Sequence, residues 1–454
     1  MKFLGSKGTI MCYMNAHKIQ SSVHCWLGIF FGILLVLQFK QGQATNIDVI
    51  KIGAIGDVLF HKENQQQAFS RGSYKSIWKD VVNHFREFDI LYANFEGVSA
   101  NVIRFPNGSC SLVNKSKPEY GTVFRSWEFV SNGPNVFNYH SSLVQDLKQS
   151  GIDVVSVANN HIRDLCDIGM SQTLKVLDDF ELPYIGGKIN SSQEWYKILS
   201  TGNHKTAWIA CTALMNYNTK SYNNEMCKDQ RMVLCCDNPI FLNLVSTLSR
   251  SYPVIATIHG GKTNSYSPSE ELQNLVFKTL EAGAILIIGN HPHVSQPIEV
   301  YKVHNRRTAV VWSVGNFISH QGYSVRNKYQ RDIRKRSSGI LTFQLKPFRN
   351  GWEFDCFDYV PICVECREIQ GVDEYFVRDV RKADCKNEGR WLKNVWGDWG
   401  SCRILKENQR LESKYAFQHW FSHFVNKQYH SKPQGKGKCM RDENVFNYTS
   451  NTFE

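Results

Sequence analysis

Long apolar runs are nearly missing from this chain. Only one stretch, Cys25–Phe39, is continuous enough to concern a membrane, so a multi-span transporter is excluded. Compositional bias is missing too. With 42% hydrophobic, 21% charged and 13% aromatic residues, a collagen, a mucin-like stalk and a wholly disordered chain are all excluded. No internal repeat appears at solenoid periods. What remains is a chain of 454 residues, enough for two or three domains at roughly 150 residues each.

The one apolar run lies between His24 and Lys40. Lys2, Lys7 and Lys18 precede it with no acid, and Gly42-Gln43-Ala44 follows, placing small residues where a signal peptidase inspects the chain. The run is shorter than the roughly 20 residues of a spanning helix. The expectation is a signal peptide over 1–44, cut after Ala44, and a protein secreted or held in the secretory lumen. The alternative is an uncleaved signal anchor with single-pass membrane attachment, and only then is a membrane partner expected. Met11 and Met14 are alternative starts.

Residues 1–44 carry four Lys and no acid, so the formal charge of +12 becomes +8 once they are removed. A moderate basic bias suits acidic partners, and no nucleic-acid partner is expected. Two further features point to secretion. Sequons at Asn107, Asn114, Asn190 and Asn447 are expected glycosylation sites. The 14 cysteines less Cys12 and Cys25 leave an even number, as disulfide pairing in an oxidising compartment requires.

From Asn46 to about Leu345, β-rich runs alternate with helical periodicity. Strands are expected at Ile47–Ile55, Asp89–Ala93, Ile152–Ala158, Val254–Ile258, Ala284–Ile288 and Thr308–Val314. Helices are expected around Ile77–Phe85, Leu143–Leu147 before Gly151, Met170–Leu177, and from Pro268 to Gly283. This order predicts an α/β domain with strands buried on both faces. Asn101–Asn135 is expected to be a polar loop insertion. Past residue 345 cysteines crowd together, so the chain divides into a 1–44 signal, a 45–345 domain and a cysteine-bearing extension over 346–454.

The polar residues just after the expected strands are Asp57, Glu96, Asn160-His161, His259 and His291-Pro292-His293. Ligands of open α/β sheets bind outside the carboxyl ends of strands. Mixed carboxylate, carboxamide and imidazole donors suit one or two divalent ions of Mn, Fe or Zn rather than Ca. Two such ions roughly 3.5–4 Å apart clamp an in-line displacement at phosphorus. A lone His is more often a hydrogen-bonded core or surface residue, and a lone Gly-Asp usually a turn. Their coincidence at five strand ends favours the metal reading.

Five segments in order carry a resemblance: Gly56-Asp57-Val58-Leu59, Ala93-Asn94-Phe95-Glu96-Gly97, Gly151–His161, Gly289-Asn290-His291-Pro292-His293 and Ser313-Val314-Gly315-Asn316-Phe317. Together they resemble the CapA capsule-synthesis family, whose bacterial members act in poly-γ-glutamate production, within the calcineurin-like metallophosphoesterase superfamily. The resemblance covers about 48–345. It implies a two-sheet α/β sandwich flanked by helices. It also implies Asp57 as first metal carboxylate, Glu96 as bridging carboxylate, Asn160, His259 and His291 on the second metal, and His293 on the first. His161 would be the acid that protonates the leaving oxygen, and Asp164, the other catalytic candidate, a supporting or substrate-side group. Asn94 and Asn316 would be supporting or substrate-side groups.

Two departures stand out. The superfamily's first motif is Asp-x-His, but Val58-Leu59 follow Asp57 and the nearest imidazole is His61, leaving one metal position a ligand short. The family block His-Trp-Gly-x-Glu reads His259-Gly260-Gly261-Lys262-Thr263, without the Trp and Glu.

Arg326, Lys328, Arg331, Arg334, Lys335 and Arg336 cluster after the Gly-Asn-Phe block. Arg326 and Arg331 are expected substrate contacts that gather an anionic polymer; a solvated or processing-type basic run is the plainer alternative. Cys363-x-x-Cys366 lacks a second pair at zinc spacing and is read as disulfide-forming. Trp396–Cys402 resembles the opening of a thrombospondin type 1 repeat, without its remaining cysteines, and is read as packing. The expected function is synthesis or processing of an anionic polymer of the poly-γ-glutamate type, by metal-dependent phosphoesterase-like chemistry. The alternatives are a non-catalytic polymer-binding or assembly protein on the same fold, and a secreted phosphodiesterase or nucleotidase acting on a phosphate ester.

Overall fold

The computed structural model describes residues 49–104, 109–112, 136–216, 225–226, 231–323 and 332–405. The expected signal segment, Asn107, Asn114, Asn447, Arg326, Lys328 and Arg331 lie outside these residues. Asn190 is within them and exposed.

Apolar runs rich in β-branched residues form the main strands. In chain order they are β1 (Ile50–Val58), β2 (Ile90–Phe95), β3 (Val154–Ser156), β4 (Tyr184–Ile185), β5 (Tyr196–Thr201), β6 (His204–Thr212), β7 (Val254–His259), β8 (Ala284–Asn290), β9 (Ile298–Val303), β10 (Arg306–Val311), β11 (Asn316–Ile318), β12 (Ser337–Phe348), β13 (Gly351–Ile369) and β14 (Val372–Asp379). The main helices are α1 (Lys62–Ser70), α2 (Ser142–Ser150), α3 (Cys166–Asp179), α4 (Pro239–Leu248), α5 (Glu270–Glu281) and α6 (Lys386–Trp396).

The strands build two sheets. One runs β14-β13-β12-β1-β2-β3-β4, with β11 also pairing to β1; the other runs β9-β10-β8-β7-β6-β5. In the first, β1, β2, β3, β4 and β11 are parallel. In the second, β6, β7, β8 and β10 are parallel. The carboxyl ends of β1, β2 and β3 therefore lie along one edge of the first sheet, and those of β7 and β8 along one edge of the second.

Side-chain alternation decides how the layers stack. Along β7, Ile255 enters the core shared with the first sheet. Val254, Ala256 and Ile258 face the other way, against Phe241 and Val245 of α4 and Leu272, Val276 and Leu280 of α5. Tyr92 of β2 crosses the sandwich: its ring stacks on Trp208 with centroids 6.0 Å apart, and its hydroxyl donates to Asn290 Oδ1 at 2.9 Å. The architecture is an α/β two-sheet sandwich with helices outside it.

Some local expectations shift. Ile77–Phe85 is not one helix but a turn at Lys75–Trp78 and a 3₁₀ segment at Val82–Glu87, the β-branched pair Val81-Val82 falling at the break. α5 is capped by Ser269, whose Oγ accepts the Leu272 N–H at 3.3 Å, so Pro268 sits just before the cap rather than inside the first turn. Within the expected loop insertion, Val102–Arg104 pairs with Cys110–Leu112.

The boundary drawn at 345 falls inside β12. Beyond it β13 pairs with β12 from Ser337↔Cys363 to Phe348↔Gly351, and β14 pairs with β13. Disulfides join Cys110–Cys166, Cys211–Cys236, Cys356–Cys402 and Cys363–Cys385. Cys235 and Cys366 are also disulfide-bonded, so neighbours Cys235 and Cys236 bond apart. Trp396 is a packing residue: it is buried, and its Nε1 donates to Gln296 O at 2.8 Å. Among the described residues no helix is long and apolar enough to cross a membrane.

Candidate metal centre

Where β1 ends, Asp57 stands opposite both Asn94 of β2 and Asn316 of β11. Glu96 follows β2, and Asn159-Asn160-His161 follow β3. From the second sheet come His259, the last residue of β7, and His291 and His293 beyond β8. His291 and His293 both take positive φ, +101° and +59°, a conformation that costs on the order of 1–3 kcal/mol per residue and recurs where function holds it in place.

Asp57, Glu96, Asn160, His259, His291 and His293 come together and are all buried. Their donor atoms form two groups, Asp57/Glu96/His293 and Glu96/His259/His291, in each of which one atom per residue lies within 4.8 Å of the others. Glu96 belongs to both. In the second group His259 Nε2 is 2.8 Å from Asn160 Oδ1 and 3.1 Å from His291 Nδ1. In the first, His293 Nδ1 is 3.0 Å from Asp57 Oδ2.

The charge state of the site suits a cation. Glu96 Oε1 is buried without a hydrogen-bond partner, 3.7 Å from His293 Nε2 and 3.9 Å from His259 Nε2. Burial, with Asp57 and Asp164 nearby, pushes the Glu96 carboxyl well above the usual range. Burial and the neighbouring imidazoles hold His259 and His291 well below theirs, so both rings are neutral at pH 7 and offer lone pairs. A buried Glu96 carboxyl with one unsatisfied oxygen and no counter-charge, facing neutral imidazoles, fits a divalent metal ion, which would supply the missing charge.

Carboxamides brace this core. Asp57 Oδ1 accepts the Nδ2 groups of Asn94 at 2.8 Å and Asn290 at 2.9 Å. Asn94, expected on the substrate side, is wholly buried. Asn159 Nδ2 donates to Phe95 O at 2.7 Å. Beside the core, His161 Nδ1 meets Asp164 Oδ2 at 2.9 Å, and the same oxygen accepts the Phe137 N–H at 2.8 Å. The Phe137 ring packs edge-on against His161, with centroids 4.7 Å apart.

Residues 51–321 match the family described as bacterial capsule synthesis protein PGA_cap. The chain belongs to that family. PGA_cap proteins fall in the metallophosphoesterase-like superfamily. The chain is 26% identical over 343 residues to the PGA biosynthesis protein CapA of Bacillus subtilis (strain 168), covering 74% of this chain and 79% of that protein. To the capsule biosynthesis protein CapA of Bacillus anthracis it is 25% identical over 228 residues, covering 49% of this chain and 50% of that one. Among solved structures, a hypothetical protein from Thermus thermophilus aligns with TM-score 0.38 and 13% identity, over 69% of this chain and 98% of that one.

The departures, one from the superfamily motif and one from the family block, have definite places in this PGA_cap chain. His61 Nδ1 lies 3.3 Å from Leu59 O and accepts the His320 N–H at 3.3 Å, and His61 joins neither donor group. Thr263, which takes the place of the block's Glu, sets Oγ1 3.2 Å from His291 Nε2. Asn290 lies in the Gly289–His293 segment, yet nothing in its sequence position marks it as a brace. The basic cluster divides. Arg334 pairs with Asp332 at 2.6 Å and lies over the Tyr266 ring, while Arg336 pairs with Glu388 at 3.0 Å and lies over Tyr323. Both are part of the packing around the start of β12.

Proposed function

We propose that this PGA_cap protein acts outside the cytoplasm in the synthesis or processing of an anionic polymer of the poly-γ-glutamate type, by metal-dependent phosphoesterase-like chemistry. The observation that carries the reading is the buried, unpartnered Glu96 oxygen between two sets of donors. Family membership and the names of the Bacillus relatives support the polymer. The disulfides and the leader-like segment support secretion.

Asp57, Glu96 and His293 would hold one ion, and Glu96, Asn160, His259 and His291 the other. Bound there, divalent ions supply Lewis acidity and a clamp for in-line displacement at phosphorus. The chain's own residues do the rest. Asp164 accepts from His161 Nδ1–H, and the proton for the leaving oxygen would come from Nε2–H of the doubly protonated ring. The Phe137 N–H fixes Asp164, and burial of the whole cluster excludes bulk water. Arg326, Lys328 and Arg331 gather the polyanion.

The test is elemental analysis of the chain purified through a secretory pathway, with turnover assays on phosphate esters and on polyglutamate. The expected result is one or two Mn, Fe or Zn per chain, with turnover abolished in Asp57→Asn and His291→Ala while both variants stay folded. Full activity in both would exclude this centre. Neutralising Arg326, Lys328 and Arg331 is expected to weaken polyglutamate binding and flatten its salt dependence; unchanged binding at low salt removes the polymer contact.

A second reading is a polymer-binding or assembly subunit without turnover. It is favoured by the absence of Trp and Glu from residues 259–263. Binding of polyglutamate by ion-loaded protein, with no turnover of any phosphate ester, selects it.

A further inference from the structure

We propose that Asn316 is the fourth donor of the first cation position, in the place of the imidazole that the chain's Asp57-Val58-Leu59 does not supply. The inference rests on the metal reading above and concerns only how that position is completed.

The placement begins with backbone. β1 and β11 run parallel with Asp57 opposite Asn316, and the Asp57 N–H donates to Gly315 O at 2.9 Å. This approach is open only to glycine at residue 56, because a Cβ there would lie 1.8 Å from Gly315 O. Gly315 takes φ +84°, turning the chain so that Asn316 enters the site.

Asn316 is also held in one orientation. Its Nδ2 donates to Lys335 O at 3.1 Å, Gln321 Oε1 at 3.2 Å and His293 O at 3.4 Å. With the amide hydrogens engaged on that side, Oδ1 faces inward and lies 3.0 Å from His293 Nδ1. Asp57 Oδ2 is 3.0 Å from the same nitrogen. Neighbouring ligands about 2.1 Å from one ion stand roughly 3.0–3.4 Å apart, so each of these oxygens is spaced from His293 Nδ1 as a fellow donor to one cation would be. The other candidate imidazole, His61, is turned to Leu59 O and the His320 N–H. Each cation position would then have the shared Glu96 carboxylate and one carboxamide oxygen, from Asn316 on one side and Asn160 on the other.

The experiment counts ions in the full chain and in Asn316→Ala, Asn316→Asp and His291→Ala, by elemental analysis, chelator competition and Mn(II) magnetic-resonance spectra. The expected wild type binds two ions and shows a coupled-pair Mn(II) signal. In Asn316→Ala one ion is retained, affinity for the other falls at least about 10-fold, and the signal becomes that of an isolated ion. Adding His291→Ala removes the remaining ion. Asn316→Asp, which keeps an inward oxygen and adds charge, tightens the weaker ion, and it decides the matter should the alanine variant fail to fold. Two ions with unchanged affinity in the alanine and aspartate variants would overturn the assignment while leaving the centre intact. A wild type with a single ion, indifferent to Asn316 and lost in His291→Ala, would overturn it too. No ion in the wild type would remove the metal reading itself.

Discussion

His161 shows how one contact orients a ring. A buried carboxylate facing Nδ1 fixes the ring's orientation and keeps a proton on that nitrogen, and the Asp164 oxygen that does this is itself fixed by the Phe137 N–H. Replacing His161 by Asn removes the proton carrier without touching a donor to either cation group. Turnover is expected to fall by about 10²–10⁴-fold with ion content unchanged, both measured on the same sample; equal turnover would end the general-acid role. The sequence exposed His161 because it stands, with Asn159-Asn160, just after an apolar strand. It exposed Asp57, Glu96, His259 and His291 for the same reason: each follows an apolar run. Phe137 and Thr263 gave no such sign. Phe137 lies among polar residues well before His161, and Thr263 stands in a loop after Gly260-Gly261, so chain folding alone brings them to the rings they touch.

Among the elements, the contact between β1 and β11 is the most exacting. Gly56 and Gly315 lie close enough that Asp57 and Asn316 share one register position. Gly56→Ala forces these strands apart, and a stability loss of about 2 kcal/mol or more is expected, read from urea unfolding, together with weaker ion binding. Wild-type stability in this variant would show that the strands can separate without cost. The central strands were legible as apolar runs, and their observed limits differ by a few residues from the expected ones. β13 was not. Its burial alternates irregularly and it carries Cys356, Cys363 and Cys366, so it read as the start of a cysteine-bearing appendage although it pairs along the length of β12. Composition records what a segment is made of, whereas strand pairing depends on a partner distant in sequence.

The molecule as a whole depends on that pairing. A chain ending at residue 345 would lose β13, β14 and α6 and leave β12 as a bare edge, a template for association between chains. Aggregation rather than a soluble 45–345 fragment is expected, judged by soluble yield and size-exclusion profile; a monomeric fragment that binds ions would contradict this. The six donors raise a different consequence. Asp57, Glu96 and Asn160 extend from one sheet, and His259, His291 and His293 from the other. An ion held by both works as a rivet through the sandwich, because it binds only when the two layers are assembled. At a free concentration one hundred times its dissociation constant it would add about 2.7 kcal/mol, or about 3 °C of melting temperature in a chain of this size, and a chelator would take the same amount away. The melting curve thus becomes a gauge of occupancy, able to rank Mn, Fe and Zn before any substrate is in hand.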